Sequence, residues 1–313
     1  MLTTKSLLAA GSVLCGMLLA GSAQAEDQVV AVKQEFGKLE EVKEVVWKAS
    51  ASAGFSISTG NASVMTFSGG VNASRNDGSN KITLGLKGIY GLTDIAVFTD
   101  SDGDMKANMD SELTVERKRT AALLLGMFRY DRFFSKNNTG YITASAGLDL
   151  PASKEFFGGG QIGYARQIVN TKMHVLSAEL GYDFNYTRYI LPEVPPMNFE
   201  QNVILHSARL YAGYVLSVAD HTTVEANVEA LINFNVAHIG DRDVGAGQAT
   251  RVNGQLAFTT KVWKALSLRA ATMLRYNNAP GLTTLYPFAA DFPGRYNQKL
   301  DTLTELQLVV NFI

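Results

Sequence analysis

Four histidines, a run of carboxylates and one glycine triplet are the residues whose types suggest chemistry. His174, His206, His221 and His238 are the candidates for proton transfer. His206 stands beside Ser207, a base next to a hydroxyl nucleophile, but neighbouring residues of a strand point to opposite faces, which separates the two groups. His238 with Asp241 and Asp243 could build a hydrolytic imidazole and carboxylate site. An ordinary polar loop accounts for the same three residues, since nothing fixes their spacing.

Residues 93–116 hold Asp94, Asp100, Asp102, Asp104, Asp110, Glu112 and Glu116 against the single Lys106. Asp100, Asp102 and Asp104 imitate the start of a calcium loop, but Met105 occupies the position that needs glycine and Ser111 the position of the closing glutamate. An EF-hand is excluded. A loose carboxylate cluster that takes Ca²⁺ or Mg²⁺ at roughly millimolar levels and bridges anionic lipopolysaccharide is one expectation, and a solvated acidic loop is the other. Gly158-Gly159-Gly160 lacks the spacing and the following helix of a phosphate-binding turn. A net charge of -1 gives no electrostatic case for nucleic acid. No cofactor and no catalytic residue is expected.

The elements that would position these residues are strands. From Val45 onward the apolar residues recur with period two: Val224, Ala226, Val228, Ala230, Ile232 and Phe234 alternate with Glu225, Asn227, Glu229, Asn233 and Asn235. A strand with one apolar and one polar face follows. The same alternation predicts strands near 46–58, 62–75, 80–92, 117–133, 139–150, 156–168, 173–187, 203–218, 222–236, 250–262, 265–277 and 300–312. That is an even number, as closed bacterial barrels require. Alternate connections, 76–80, 135–138, 169–171, 219–220 and 263–264, are short. The others, at 93–116, 188–202, 237–249 and 278–299, hold most of the irregular sequence, and only the tips near Gly60-Asn61 and Pro151-Ala152 are short on that side.

A soluble sandwich would also alternate, but these strands run past the ~9 to 11 residues of a tilted membrane strand, whereas soluble strands have a mode of about 5 to 6. Their polar faces also carry more charge than a dry core tolerates. The reading is an all-β chain: a transmembrane antiparallel up-and-down β-barrel of about twelve strands over residues 45–313. Aromatic girdles are expected from Trp47, Phe128, Tyr130, Phe133, Phe134 and Trp263 on the short-turn side, and from Tyr90, Tyr186, Tyr189, Phe234 and Tyr276 on the other. Leu306, Leu308, Val310 and Phe312 share one face of the last strand, as in a C-terminal barrel insertion signal, with Ile313 following.

Residues 1–25 combine Lys5, an apolar run from Leu7 to Ala20 and the ending Ala23-Gln24-Ala25, which reads as a cleavable secretory signal. Cys15 would serve a lipoprotein signal, but Leu14 before it is not small, and the mature chain then holds no thiol. In residues 26–44, Val29, Val32, Phe36, Leu39 and Val42 follow helical spacing, a short periplasmic helix or a tether.

Trp47, Gly54, the Thr59-Gly60-Asn61 tip, Tyr90-Gly91, Arg129-Tyr130-Asp131 with Phe133-Phe134, Asp149 and Gly163-Tyr164 together resemble the family of salt-induced outer membrane proteins, over the barrel up to about residue 190. The resemblance implies a Gram-negative outer-membrane location and a barrel fold, and no particular activity.

Strand parity then names an interior. Lys48, Lys81, Lys87, Arg251, Lys261, Arg269 and Arg275 form a basic arc, and Asp149, Glu179, Asp183, Glu225 and Glu229 an acidic arc facing it. Arg209 and Glu305 interrupt the separation, and Glu225 could pair with Lys261. Either these groups line an open, water-filled pore with a transverse field, or they pair into a salt-bridged plug. The leading expectation is a passive channel or small-solute pore. A plugged structural or stress-protective barrel is the alternative, and an outer-membrane protease or lipase using the external loops is a third. Lipid, lipopolysaccharide and the barrel assembly machinery are the expected partners, and both mature termini are expected in the periplasm.

Overall fold

A computed structural model describes residues 45–58, 64–98, 113–150, 152–191, 199–219, 221–240, 242–281 and 299–312. The expected leader over 1–25, the segment 26–44, the acidic trio Asp100, Asp102 and Asp104, and Asp241 lie outside the described residues. The strands are β1 (Val46–Ser58), β2 (Val64–Asn76), β3 (Asn80–Phe98), β4 (Leu113–Ser135), β5 (Asn138–Asp149), β6 (Lys154–Asn170), β7 (His174–Tyr189), β8 (Asn202–Ala219), β9 (Thr222–Asn233), β10 (Ala237–Ile239), β11 (Arg242–Val244), β12 (Arg251–Trp263), β13 (Leu266–Asn277) and β14 (Leu300–Asn311). Twelve of them close an antiparallel barrel in chain order, with β9 paired to β12 and β14 to β1.

The expected period of two therefore sets the architecture, with two differences in extent. β3 and β4 continue to Phe98 and back from Leu113, so Asp94 and Glu116 belong to strands and not to a loop. The alternation of Ile95 with Val97, and of Leu113 with Val115, carries the ladder on through charged sequence. The second difference is β10 and β11, a hairpin inside the stretch 237–249 expected to be irregular. Gly240, at φ 67°, allows its turn. Ala237, Ile239 and Val244 pack with Tyr189, Val203 and Leu205, which point inward from β7 and β8. The hairpin thus folds against the inner wall at the end of the barrel with the longer connections, hereafter the loop end.

At the opposite, turn end, connections are tight. Asp77 organises one of them. Its carboxylate accepts from the Asn80 backbone N–H at 2.8 Å and from that of Ser79 at 3.2 Å, and it pairs with Arg75 at 3.0 Å. The Asn80 amide, more than any other partner, holds the Asp77 carboxyl below its ordinary value. Gly78, at φ 86°, supplies the left-handed position of the same turn.

The usual inside-out rule is inverted. Leu84, Ile142, Ile162, Leu180, Leu210 and Leu308 are exposed on the outer face, while Arg129, Asp131, Glu179 and Arg209 are buried within. An apolar outer face around a closed ring of strands is stable against hydrocarbon, the arrangement of a barrel whose strands cross the membrane. Among the described residues no helix is long and apolar enough to cross a membrane. Trp47, Phe128, Phe134 and Trp263 are exposed near the turn end, and Tyr90, Phe234 and Tyr276 near the loop end. Phe133 and Tyr189, assigned to the same girdles, are buried inside instead. Parity is the reason: Phe133 and Phe134 are adjacent in β4 and cannot both face lipid.

Two hydrogen-bonded pairs mark the edges of the apolar band on β7 and β8. The Tyr182 hydroxyl lies 2.5 Å from His206 Nδ1 towards the loop end, and the Tyr214 hydroxyl 2.7 Å from His174 Nδ1 towards the turn end. His206 and Tyr214 are eight positions apart on β8. At about 3.4 Å per residue and a tilt of about 40° that spacing is about 20 Å along the normal, close to the ~25 Å apolar band of membrane barrels.

Candidate functional site

The barrel interior is where charge and burial coincide. On β5, β6, β7 and β8, Tyr141, Gly163, Gly181 and Arg209 face one another in a single row of the sheet. A Cβ on Gly163 would lie 2.6 Å from the Tyr141 hydroxyl, and one on Gly181 2.5 Å from it. The two glycines leave a trough in the wall, and the tyrosine lies along it to accept from Arg209 Nη1 at 2.9 Å.

Arg209 is the centre of a chain of ion pairs across the lumen. It pairs with Glu179 on β7 and, through Nε at 2.5 Å, with Glu229 on β9. Glu179 also pairs with Arg129 on β4 at 3.0 Å, and Arg129 with Asp131 at 2.8 Å. Glu229 in turn accepts from Asn253 on β12 at 3.0 Å. Tyr141 lies beneath both cations, with the Arg129 guanidinium 4.4 Å from its ring centre. The side chains of Arg209 and Glu179 are both 0% exposed. Buried charges persist only when paired and hydrogen-bonded, and here each carboxylate meets at least one guanidinium.

Three further pairs cross the interior. Arg251 on β12 donates to Asp183 on β7 at 3.1 Å, and Gln161 donates to the same carboxylate at 3.0 Å. Lys87 on β3 donates to Glu305 on β14 at 2.9 Å, and Gln307 also donates to it. Arg269 approaches Glu225 to 3.8 Å. A small cavity of about 70 Å³ remains among Gln161, Asp183, Glu229, Arg251, Asn253 and Arg275. That polar lining and volume suit ordered water.

Towards the loop end an apolar cluster joins the buried charges. Ile89, Leu123, Leu125, Phe157 and Met273 form one cluster, with Met127 and Leu303 against it. Above β8 and β9, Asn233 fastens the inturned hairpin. Its amide donates to the carbonyls of Asn235 and Gly245, at 2.9 and 3.1 Å, and its oxygen accepts from the Ala249 N–H at 2.8 Å.

The charges picked out by parity fall as follows. Lys81, Asp149, Glu179, Asp183 and Arg275 are buried on the inner face, and Lys87, Arg251, Arg269, Glu225 and Glu229 sit there in ion pairs. Lys48 and Lys261 are exposed near the turn end, and Arg269 approaches Glu225. The basic and acidic arcs are thus joined to each other across the lumen. Sequence reasoning missed Arg129, Asp131, Tyr141 and Tyr211 as members of this interior. The signal was present, since Arg129 and Asp131 have the inward parity of β4 and lie two residues apart.

His206 and Ser207 do point to opposite faces: the imidazole lies outside among Tyr182, Phe184 and Phe234, and Ser207 is buried within. His238 Nδ1 meets Asp243 at 2.8 Å across the β10 and β11 pair. Among the described residues no group of histidines, cysteines and carboxylates has the arrangement of a metal site.

Comparison with solved structures finds barrels of low identity. The NanC porin is 8% identical with a TM-score of 0.41, over 84% of this chain and 97% of its own. The translocator domain of the autotransporter NalP from Neisseria meningitidis is 10% identical with a TM-score of 0.43, over 86% and 88%. The toluene transporter TodX of Pseudomonas putida is 12% identical with a TM-score of 0.39, over 85% and 88%. No curated protein sequence matches the chain. A family model does match, spanning residues 51–312 and therefore all of the barrel but the start of β1, and by it the chain belongs to the family described as "Protein of unknown function, DUF481".

Proposed function

We propose that this protein is a barrel of the Gram-negative outer membrane, loop end outward and both mature ends in the periplasm, whose lumen is held shut by its own side chains. The observation that carries the reading is the ion-pair chain running through Arg129, Glu179, Arg209 and Glu229 from β4 to β9. A water-filled channel would leave those groups hydrated, yet Arg209 and Glu179 have no exposed side-chain surface. Such a barrel acts as a structural component of the envelope, in contact with lipid and lipopolysaccharide and placed by the assembly machinery. The resemblance to salt-induced outer membrane proteins suits a role under osmotic load.

The test is conductance of purified protein in planar bilayers. The wild type should be silent and Arg209→Ala should conduct, because removing the central cation breaks the chain and empties the middle of the lumen. A steady wild-type current would overturn the closed reading.

One observation favours a second reading, a passive small-solute channel. The inner wall of β1 and β2 is built from Ser50, Ser52, Gly54, Ser68, Gly70 and Asn72, all short and only half-buried. A narrow polar path along that wall would give the wild type a small current.

A further inference from the structure

The barrel closes through an incomplete seam. β1 and β14 are in register from Ser50 opposite Asn311 to Gly54 opposite Gln307. Beyond that, towards the loop end, Phe55–Ser58 remain paired to β2 and Leu300–Leu306 to β13, and among the described residues no pair joins the two edges. Other neighbouring strands stay paired along most of their shared length, as β1 does with β2 over thirteen positions. Unpaired backbone at membrane depth is costly, because lipid offers neither donor nor acceptor. A half-closed seam is therefore a place where the wall can part.

What lies behind it decides what could enter. Leu303 on β14 and Met273 on β13 face inward beside the open edge and join the apolar cluster of Ile89, Leu123, Leu125 and Phe157. Phe55 and Leu306 face outward on either side of it. Apolar side chains thus lie on both sides of the wall at the open edge, Phe55 and Leu306 outside and Leu303 and Met273 inside. Polar groups border this edge: the Lys87 ammonium reaches past the short inner residues of β1 and β2 to the Glu305 carboxylate at 2.9 Å, Gln307 donates to the same carboxylate, and Arg275 is buried two residues from Met273. Lys87 thus holds a carboxylate at the seam, with hydrocarbon-like surface next to it.

We propose that the loop-end half of the β1 and β14 seam is a lateral portal for a single-chain amphiphile with a carboxylate head. Its chain lies against Leu303, Met273 and Ile89, and its head replaces Glu305 as the partner of Lys87. This goes beyond the closed-lumen reading and does not depend on it. Axial conductance could be found in the wild type and the portal would stand.

The experiment uses the full barrel in nanodiscs with a diazirine-bearing fatty acid, and reads labelled residues by mass spectrometry. Wild type should be labelled at Leu303, Met273 or Ile89 as well as on the outward Leu308. A Phe55→Cys and Leu306→Cys pair, oxidised to a disulfide across the seam, should lose the inner labels and keep the outer one. Reduction should restore them. Glu305→Gln should raise inner labelling by freeing Lys87, and a probe with a methyl ester in place of the carboxylate should lose that gain. Labels confined to Leu308 and other outward residues in the wild type would overturn the portal, as would inner labels that survive the oxidised disulfide. If Glu305→Gln fails to fold, the oxidised and reduced pair and the methyl-ester probe on wild type still decide the question.

Discussion

Tyr141 reaches Arg209 from three strands away because Gly163 and Gly181 stand between them in the same row of the sheet. The two small residues are a passage for a side chain, and the interior network depends on them. Gly181→Ala would set its Cβ 2.5 Å from the hydroxyl and 2.7 Å from the Ile162 carbonyl. The variant should unfold at lower urea than wild type and lose its heat-modifiable compact band at lower temperature. Tyr141→Phe keeps the ring and removes one hydrogen bond to a charged group, a loss of about 1.5–3 kcal/mol, and should fall between the two.

Glu179 joins Arg129 to Arg209 in a fully buried place. Glu179→Gln removes the carboxylate that joins the two guanidinium groups, while Arg129 keeps Asp131 and Arg209 keeps Glu229, so the loss should stay below the about 3–5 kcal/mol of breaking an isolated buried pair. Reversible unfolding in lipid vesicles should show that loss. The double variant Glu179→Gln with Arg209→Gln should cost less than the sum of the two single variants, because the two residues pair directly.

The Tyr182 with His206 and Tyr214 with His174 pairs delimit the apolar band. Leu180→Arg or Leu210→Arg, placed between them, should cost about 2–4 kcal/mol, while Val218→Arg beyond Tyr214 should cost about 0–1 kcal/mol. Equal costs at Leu210 and Val218 would mean that the band is centred elsewhere.

Asn233 fastens the inturned hairpin by three backbone contacts. Asn233→Ala should leave the barrel folded but expose the chain between Val236 and Ala249 to protease. Cleavage sites read by mass spectrometry would show it, and wild type under the same conditions should stay whole there.

Asp77 gives a pH dependence of known sign. Its carboxyl is lowered in the folded turn, foremost by the Asn80 amide. The stability it adds is therefore fully present above the ordinary carboxylate value and is lost as pH falls through the lower folded value. The difference in urea midpoint between wild type and Asp77→Asn should favour wild type at neutral pH and shrink only at strongly acid pH. The turn is exposed, so the difference is small.

Period two made the barrel legible, because a two-faced strand of that length has few other homes. Parity also placed Glu179 and Arg251 indoors. The partners were not legible, since which charges meet across a lumen depends on how far each strand is staggered around the ring. Strand order puts Lys261 next to Glu225, and the stagger brings Arg269 there from one strand further. Gly163 stood out as part of a motif, but its use required knowing that Tyr141, Gly181 and Arg209 share its row. The hairpin of β10 and β11 was hidden because three-residue strands are too short for a period to register.

Every barrel pairing except two joins strands consecutive in sequence. The exceptions are β9 with β12, across the hairpin, and β1 with β14, across the whole chain. Closing a loop costs about 0.6 kcal/mol for each doubling of its length, so bringing β1 to β14 costs about 4 kcal/mol more than forming one tight hairpin, and only five register pairs reward it. The ring is therefore expected to form last, with a curved open sheet from β1 to β14 as the state before it. A circularly permuted chain, joined from Phe312 to Val45 by a short linker and opened at the Lys264-Ala265 turn, moves that entropic burden to the long, fully paired seam of β12 and β13. Such a chain should close faster than the native one while ending in the same barrel.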